Sequence, residues 1–426
     1  MPPIEDHDLR YKLANELHAR PFPTLSAPTT ACYLAIKAAE NAAARDRDLD
    51  RAHLLDLLDR HGADHPAPGA THYYGQVGKV WLKWEQHTEF MTYTAFADGV
   101  SDRAFDPVDF EVFPDDWLDA APGKRLTSAL VRVVDGQGPA EIKSHVENWF
   151  VAESLAVSRV LDTSATVAAD FRIDPAGHMR FAVYVGADTG VRRIGRIVQR
   201  MCEIETYKSM SMLGLARARG MGARMGELDQ KLSALVEQMA GDDVAPENTL
   251  HDLLSISTEL ENMSAKASFR FSATKAYETL VTQRIGVLRE ERFNGRQTFH
   301  EFMMRRFDPA MRTVNATQTR LQAMADRAIR AGDLLRTRVD VERQGQNQKL
   351  LESMDQRADL QLRLQKTVEG LSVVAISYYA INLVLYVLGP IPDLFGISKL
   401  WAGAFVAPLV ILGVWLSVRQ IRKSAE

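Results

Sequence analysis

From Leu371 to Leu388, and again from Leu400 to Val418, the chain carries no charged residue. Each stretch approaches the roughly 20 apolar residues that cross a hydrocarbon core about 30 Å thick. Gly389-Pro390-Ile391-Pro392 opens a breaker-rich turn between them. Two full spans in tandem with basic flanks predict a transmembrane hairpin rather than a buried soluble one. Arg363 and Lys366 precede the first span, and Arg419, Arg422 and Lys423 follow the second. The positive-inside rule then puts both termini in the cytoplasm.

Before residue 190 the pattern is mixed. Leu49–Leu58 reads as a short amphipathic helix. Val77–Trp84, His87–Phe96 and Leu126–Val134 read as strands, rich in aromatic and β-branched residues. Glu141–Ser158 reads as a helix. Ala168–Ile173 and Met179–Val185 flank Asp174-Pro175-Ala176-Gly177-His178, a hairpin signal. Beyond Gly190 proline becomes rare and Leu, Met, Ala, Arg, Glu and Gln dominate, as in long helices. Helices are expected near 191–240, 247–291 and 296–331, with a fourth from Asp333 running unbroken into the first span.

The predicted class is therefore an α+β N-terminal cytosolic domain (1–190), a helical domain ending in a long stalk helix (191–370), a transmembrane hairpin (371–419) and a basic cytosolic tail (420–426).

Stepping along the stalk by four and three gives Asp340, Gln344, Asn347, Leu351, Met354, Ala358, Gln361, Gln365, Val368, Ser372, Ala375, Tyr379, Asn382, Tyr386 and Gly389. A dry coiled-coil seam would hold Leu, Ile or Val at nearly every step. Three readings are open. Asn382 and Ser372 bond to the second span while the glutamines are solvated, or the stripe joins identical chains, or it lines a hydrated pore. Oxygen atoms along a pore suit hard cations that keep much of their hydration.

Composition narrows the function. At 46% hydrophobic and 25% charged, with formal net charge −4, the chain has no global basic field for nucleic acid. Cys32 and Cys202 show no zinc or redox spacing and read as reduced thiols. Met1 to Tyr11 lacks the early apolar run of a secretory signal. No phosphate loop, Gly-x-Ser-x-Gly elbow or His-Glu-x-x-His is present. A non-enzymatic protein is expected.

Two clusters carry chemistry. Glu85, His87 and Glu89 alternate along one expected strand and so share a face. They either form a solvated sheet face or, with His72, bind a metal or other ligand. Glu16, His18 and Arg20 precede Pro21-Phe22-Pro23 and either dock that segment by salt bridges or act as a ligand or proton switch.

The run from Leu9-Arg10-Tyr11 through Glu16-Leu17-His18-Ala19-Arg20-Pro21-Phe22-Pro23 resembles a bacterial family of membrane-anchored proteins of unknown function. So do Glu85–Phe90, Glu203-Ile204-Glu205-Thr206-Tyr207 and Thr367–Tyr379. The resemblance implies a bacterial inner membrane. The layout is also similar to the CorA class of magnesium channels, homopentamers whose first span lines the pore. Their Gly-Met-Asn hallmark is replaced here by Leu388-Gly389-Pro390-Ile391. That resemblance implies an oligomer that conducts or regulates a divalent cation such as magnesium, with the lipid bilayer and copies of the chain as partners. The alternative is a membrane-tethered scaffold or sensor whose spans only anchor it.

Overall fold

A computed structural model describes residues 4–16, 22–136, 138–239, 246–389 and 399–425. The chain divides into two compact units, Met1–Ala331 and Gly332–Glu426.

The first unit is built on one nine-stranded sheet. Its strands are β1 (Thr29–Lys37), β2 (His72–Val77), β3 (Val80–Gln86), β4 (Phe90–Asp98), β5 (Lys124–Asp135), β6 (Ala156–Val160), β7 (Ala165–Ala169), β8 (Met179–Val185) and β9 (Glu291–Arg292). Their spatial order is β2-β3-β4-β1-β5-β8-β7-β6-β9. Every neighbouring pair is antiparallel except β5 and β8, which run parallel. A parallel pair needs a crossover, and helix α4 (Pro139–Trp149) with the β6–β7 hairpin supplies it.

Alternation along the strands gives the sheet two different faces. Leu34, Trp84, Tyr93 and Leu130 point to one of them, where α2 (Arg47–Arg60), α3 (Asp115–Asp119) and α4 close an aromatic core. Trp84, Tyr93 and Trp117 are fully buried there. His53 ties the core together: Nδ1 lies 2.9 Å from Tyr93 Oη, and Nε2 lies 2.9 Å from Trp117 O. Burial lowers the His53 pKa, so the ring is neutral.

The opposite face is covered by the first turns of α5 (Val191–Met239), where Ile194, Ile197, Val198, Met201 and Ile204 are buried. Helix α6 (Pro246–Gly286) returns antiparallel along α5, tied by Arg224–Glu259 at 2.5 Å and by Arg284–Glu203. Gly214 permits the closest approach, since a Cβ there would overlap Thr274 Oγ1. After α7 (Phe299–Arg306), helix α8 runs from Asp308 to Leu388. Arg320 and Arg327 of α8 both pair with Asp229 of α5. Arg320 first, and then Arg327, hold that carboxyl below its ordinary pKa.

Several expectations shift. The break expected between residues 331 and 333 is absent, because α8 passes through Gly332 and Asp333 without interruption. The helix expected over Glu141–Ser158 ends at Trp149, where Phe150 turns extended, and Ala156–Val160 is a strand. Strands β1 and β2 were not anticipated. The Asp174–His178 hairpin is present, closed by Asp174 N donating to His178 O at 2.9 Å.

In the second unit, α8 and α9 (Lys399–Ala425) each contain an 18-residue window apolar and long enough to cross a membrane, with mean hydropathy 2.0 and 1.5. Only 6% and 0% of these windows is buried inside the chain, unlike the core helix of a soluble domain.

Candidate functional site

The α5/α6 side of the sheet does not close completely. A cavity of about 220 Å³ remains between β1, β3 and β4 on one side and α5 and α6 on the other. Register sets its floor: Lys83 stands opposite Thr94, which stands opposite Tyr33, and Glu85 stands opposite Thr92. Tyr33 Oη reaches Thr206 Oγ1 of α5 at 2.5 Å. Burial pushes the Tyr33 hydroxyl well above its ordinary pKa, so it serves as a neutral hydrogen-bonding group.

A chain of polar contacts crosses the cavity. Lys83 Nζ donates to Gln199 Oε1 at 2.8 Å and lies 3.2 Å from Glu85 Oε1. Gln199 Nε2 donates to Glu203 Oε1 at 2.7 Å, and Arg284 Nε donates to Glu203 Oε2. The Lys83 side chain is only 5% exposed. A charge so deep must be paired, and the two cations and two carboxylates of this chain balance. Cys202 also lines the cavity. Its thiol is driven up by burial and then by Glu203, so it is no nucleophile. Cys32 is likewise buried, free and raised.

The N-terminal segment forms part of the rim. Phe22 and Pro23 line the cavity, and a Cβ at Gly195 of α5 would overlap Pro23 O. Leu25 N donates to Val191 O at 3.1 Å, and Arg196 lies over the Phe22 ring at 6.0 Å. Glycine at 195 is what lets an extended segment lie directly on a helix.

The expected metal cluster is not assembled. Glu85, His87 and Glu89 do not share one strand, because β3 ends at Gln86 and β4 begins at Phe90. His87 N donates to Phe90 O at 2.8 Å across the turn. Arg45 fixes that turn from afar, donating to His87 O at 2.9 Å, Thr88 O at 2.6 Å and Phe90 O at 3.0 Å. Glu85 and His87 both line the cavity, whereas Glu89 is buried in a separate pair with Arg270, with Tyr277 Oη at 3.3 Å. His72 pairs with Glu85 in the strand register, but it is not among the residues lining the cavity. Among the described residues, no three His, Cys, Asp or Glu side chains form a group that holds a metal ion. Glu16 ends α1 (Arg10–Glu16), while His18 and Arg20 lie outside the described residues.

The chain belongs to DUF3422, a family of proteins of unknown function. The family model matches residues 5–425. A search of curated proteins finds no match. Three of the four sequence blocks singled out above meet at this cavity, through Phe22 and Pro23, through Glu85, His87 and Phe90, and through Glu203, Thr206 and Tyr207. Sequence reasoning missed their partners Lys83, Gln199 and Arg284. The Gln199/Glu203 spacing of four residues along a helix was the available signal.

The stalk stripe is exposed within the chain. Asp340, Gln344, Asn347, Gln361, Gln365, Ser372, Tyr379, Asn382 and Tyr386 are all exposed. Asn382 Nδ2 donates to Tyr378 O of its own helix at 3.0 Å, and Gln365 Nε2 to Glu369 Oε1 at 3.3 Å. Among the described residues, the bond of the Asn382 amide is thus one within α8. Ser377, outside the stripe, is a buried hydroxyl.

Proposed function

We propose that this DUF3422 protein is a homo-oligomer of CorA-like layout in the bacterial inner membrane, with both termini cytoplasmic. Its paired spans conduct divalent cations or regulate their passage. The observation that carries the reading is the bare surface of α8 ahead of the first span. Leu350, Leu351, Met354, Leu360, Leu362, Leu364 and Val368 are each more than half exposed. Leucines at that density on a helix call for partner helices, and copies of the same chain supply them most directly. Farther along, Ser372, Tyr379, Asn382 and Tyr386 leave polar groups on an apolar span, where such groups face sister helices or water.

The test pairs subunit counting by native mass spectrometry in detergent with magnesium flux into liposomes, for the wild type and Asn382→Leu. A ring with flux that Asn382→Leu abolishes, assembly intact, is the expected result. Absence of wild-type flux for every divalent cation tried refutes conduction. The second reading is a membrane-tethered sensor whose spans only anchor it, and the convergence of three family blocks on a cavity in the body favours it. Under that reading the protein assembles but passes no ions.

A further inference from the structure

On the other side of the sheet, at the C-terminal ends of the parallel strands β5 and β8, three buried polar atoms from three elements have no hydrogen-bond partner among the described residues: Arg132 Nε, Tyr184 Oη and His145 Nδ1. Tyr184 is 2% exposed, so water does not satisfy its hydroxyl from bulk. Buried polar groups are nearly always paired, and an unpaired one costs stability. Three together need a common explanation.

The surrounding geometry is ordered. The His145 and Trp149 rings of α4 stack at 4.4 Å and 12°. Tyr184 lies nearly parallel to both, 6.1 Å from His145 and 6.2 Å from Trp149. The Arg132 guanidinium sits over Trp149 at 5.5 Å. Its one hydrogen bond among the described residues runs from Nη1 to Ser101 O at 2.6 Å. That bond fixes the guanidinium plane and leaves the Nε edge unused. The Nε/Nη2 edge of a guanidinium matches the two oxygens of a carboxylate.

We propose that Arg132, Tyr184 and His145 form a binding site for the carboxylate group of a small organic acid. Arg132 supplies the charge and the bidentate edge, and Tyr184 and His145 donate from the side. Charge selects a monoanion. Asp109 and Asp102 act electrostatically on Arg132, and Glu141 acts on Tyr184, so a dianion such as hydrogen phosphate meets about twice the repulsion of a single carboxylate. The site lies on the opposite face of the sheet from the polar cavity and does not depend on the function proposed above.

The experiment is calorimetric titration of the full-length protein in detergent with acetate, propionate and benzoate, and with inorganic phosphate, at matched ionic strength. Wild type is expected to bind at least one carboxylate saturably with 1:1 stoichiometry, and phosphate at least tenfold more weakly. Tyr184→Phe and Arg132→Gln should each weaken the carboxylate by about tenfold or more. Tyr184→Phe keeps the ring in place, and without ligand its melting temperature should equal or exceed that of wild type, because an unpaired hydroxyl has been removed. Three outcomes overturn the proposal: no saturable carboxylate binding, equal binding by wild type and both variants, or a preference for phosphate. A large loss of melting temperature in Tyr184→Phe without ligand also overturns it, since the hydroxyl would then have a structural partner.

Discussion

Glu89 separates a structural role from a ligand-binding one most sharply. Its side chain is 2% exposed and that of Arg270 is 15% exposed. Arg270 donates to Glu89 Oε2, Tyr277 Oη donates to Oε1, and Arg270 Nη1 is buried without a partner. Truncating Glu89 to Ala therefore strands a cation whose one ion pair among the described residues is with that carboxylate. Breaking a buried pair from one side costs about 3–5 kcal/mol, and the loss of the Tyr277 bond adds about 1 kcal/mol. Arg270→Met should cost a similar amount by leaving the carboxylate buried alone. The double variant Glu89→Ala/Arg270→Met should recover more than half of the summed loss, because neither charge is then left buried alone. Urea unfolding of the detergent-solubilised protein, followed by tryptophan emission, gives all four corners of the cycle. Chelators should change none of them. Additive single effects, a Glu89→Ala cost below about 1 kcal/mol, or a stability that falls on metal removal would each refute the pairing argument.

Other expectations follow from single contacts. Gly195→Val should drive Pro23 off α5, because the added side chain meets the Pro23 carbonyl; limited proteolysis should then cut near residues 22–26 faster than in wild type. Gly214→Val should separate α5 from α6 at Thr274 and lower stability by about 1–3 kcal/mol through overpacking, measured as a melting shift. His53 and His178 are both buried, and burial lowers the pKa of each. The unfolded chain therefore binds their protons first. Stability is fully present above about pH 6.5 and is lost as pH falls through the lowered folded values. Melting curves from pH 7.5 down to 5 should show the loss, shallower in His178→Gln. Leu364→Asn should leave the melting of unit Met1–Ala331 unchanged but reduce the oligomer fraction in detergent, and an unchanged oligomer would remove that face from the interface.

The helices are legible in the sequence because their burial is one-sided: α2 and the long helices each bury one face, and their period is visible. β5 and β8 are buried on both faces over Thr127–Val131 and Phe181–Val185, and they show instead as apolar, β-branched runs, β8 beside a turn signal. β1 was not legible because Thr29–Lys37 is central and buried on both faces through its first eight residues, so no alternation marks it. The Glu85–Glu89 misreading has a different cause. Polar residues in a tight turn alternate as a solvated strand does, and what makes the turn is Arg45, some forty residues away in sequence. The stalk begins earlier than the sequence suggests for a related reason. Gly332 and Asp333 carry the local signature of a helix break and restart, yet α8 starts at Asp308 and runs through both without interruption. In the cavity, Glu85 and His87 were found but their cationic partners were not, because Lys83 and Arg284 gain meaning only when α5 and α6 are laid across the sheet.

That placement has a physical logic in the contrast between the sheet's two faces. The α2/α3/α4 face is aromatic and tightly packed, with Trp84, Tyr93, Phe113 and Trp117 at 0–1% exposure. The α5/α6 face instead buries Lys83, Glu89 and Glu205. Each is paired across a boundary between elements: β3 to α5 through Lys83 and Gln199, the β3–β4 turn to α6 through Glu89 and Arg270, and β5 to α5 through Thr127 and Glu205 at 3.1 Å. Buried pairs of this kind add little net stability compared with apolar packing of the same volume. They do penalise every alternative register, because a helix that slid by one turn would strand several charges at once. Apolar surfaces such as Met201, Ile204 and Met210 tolerate such a slide far better. The charged face therefore fixes where α5 and α6 lie on the sheet, and the aromatic face holds the sheet together. Replacing Glu89 and Arg270 together by apolar residues should accordingly preserve much of the stability while loosening the helix position, visible as faster amide exchange in α6 around Arg270 and Tyr277 than in α2.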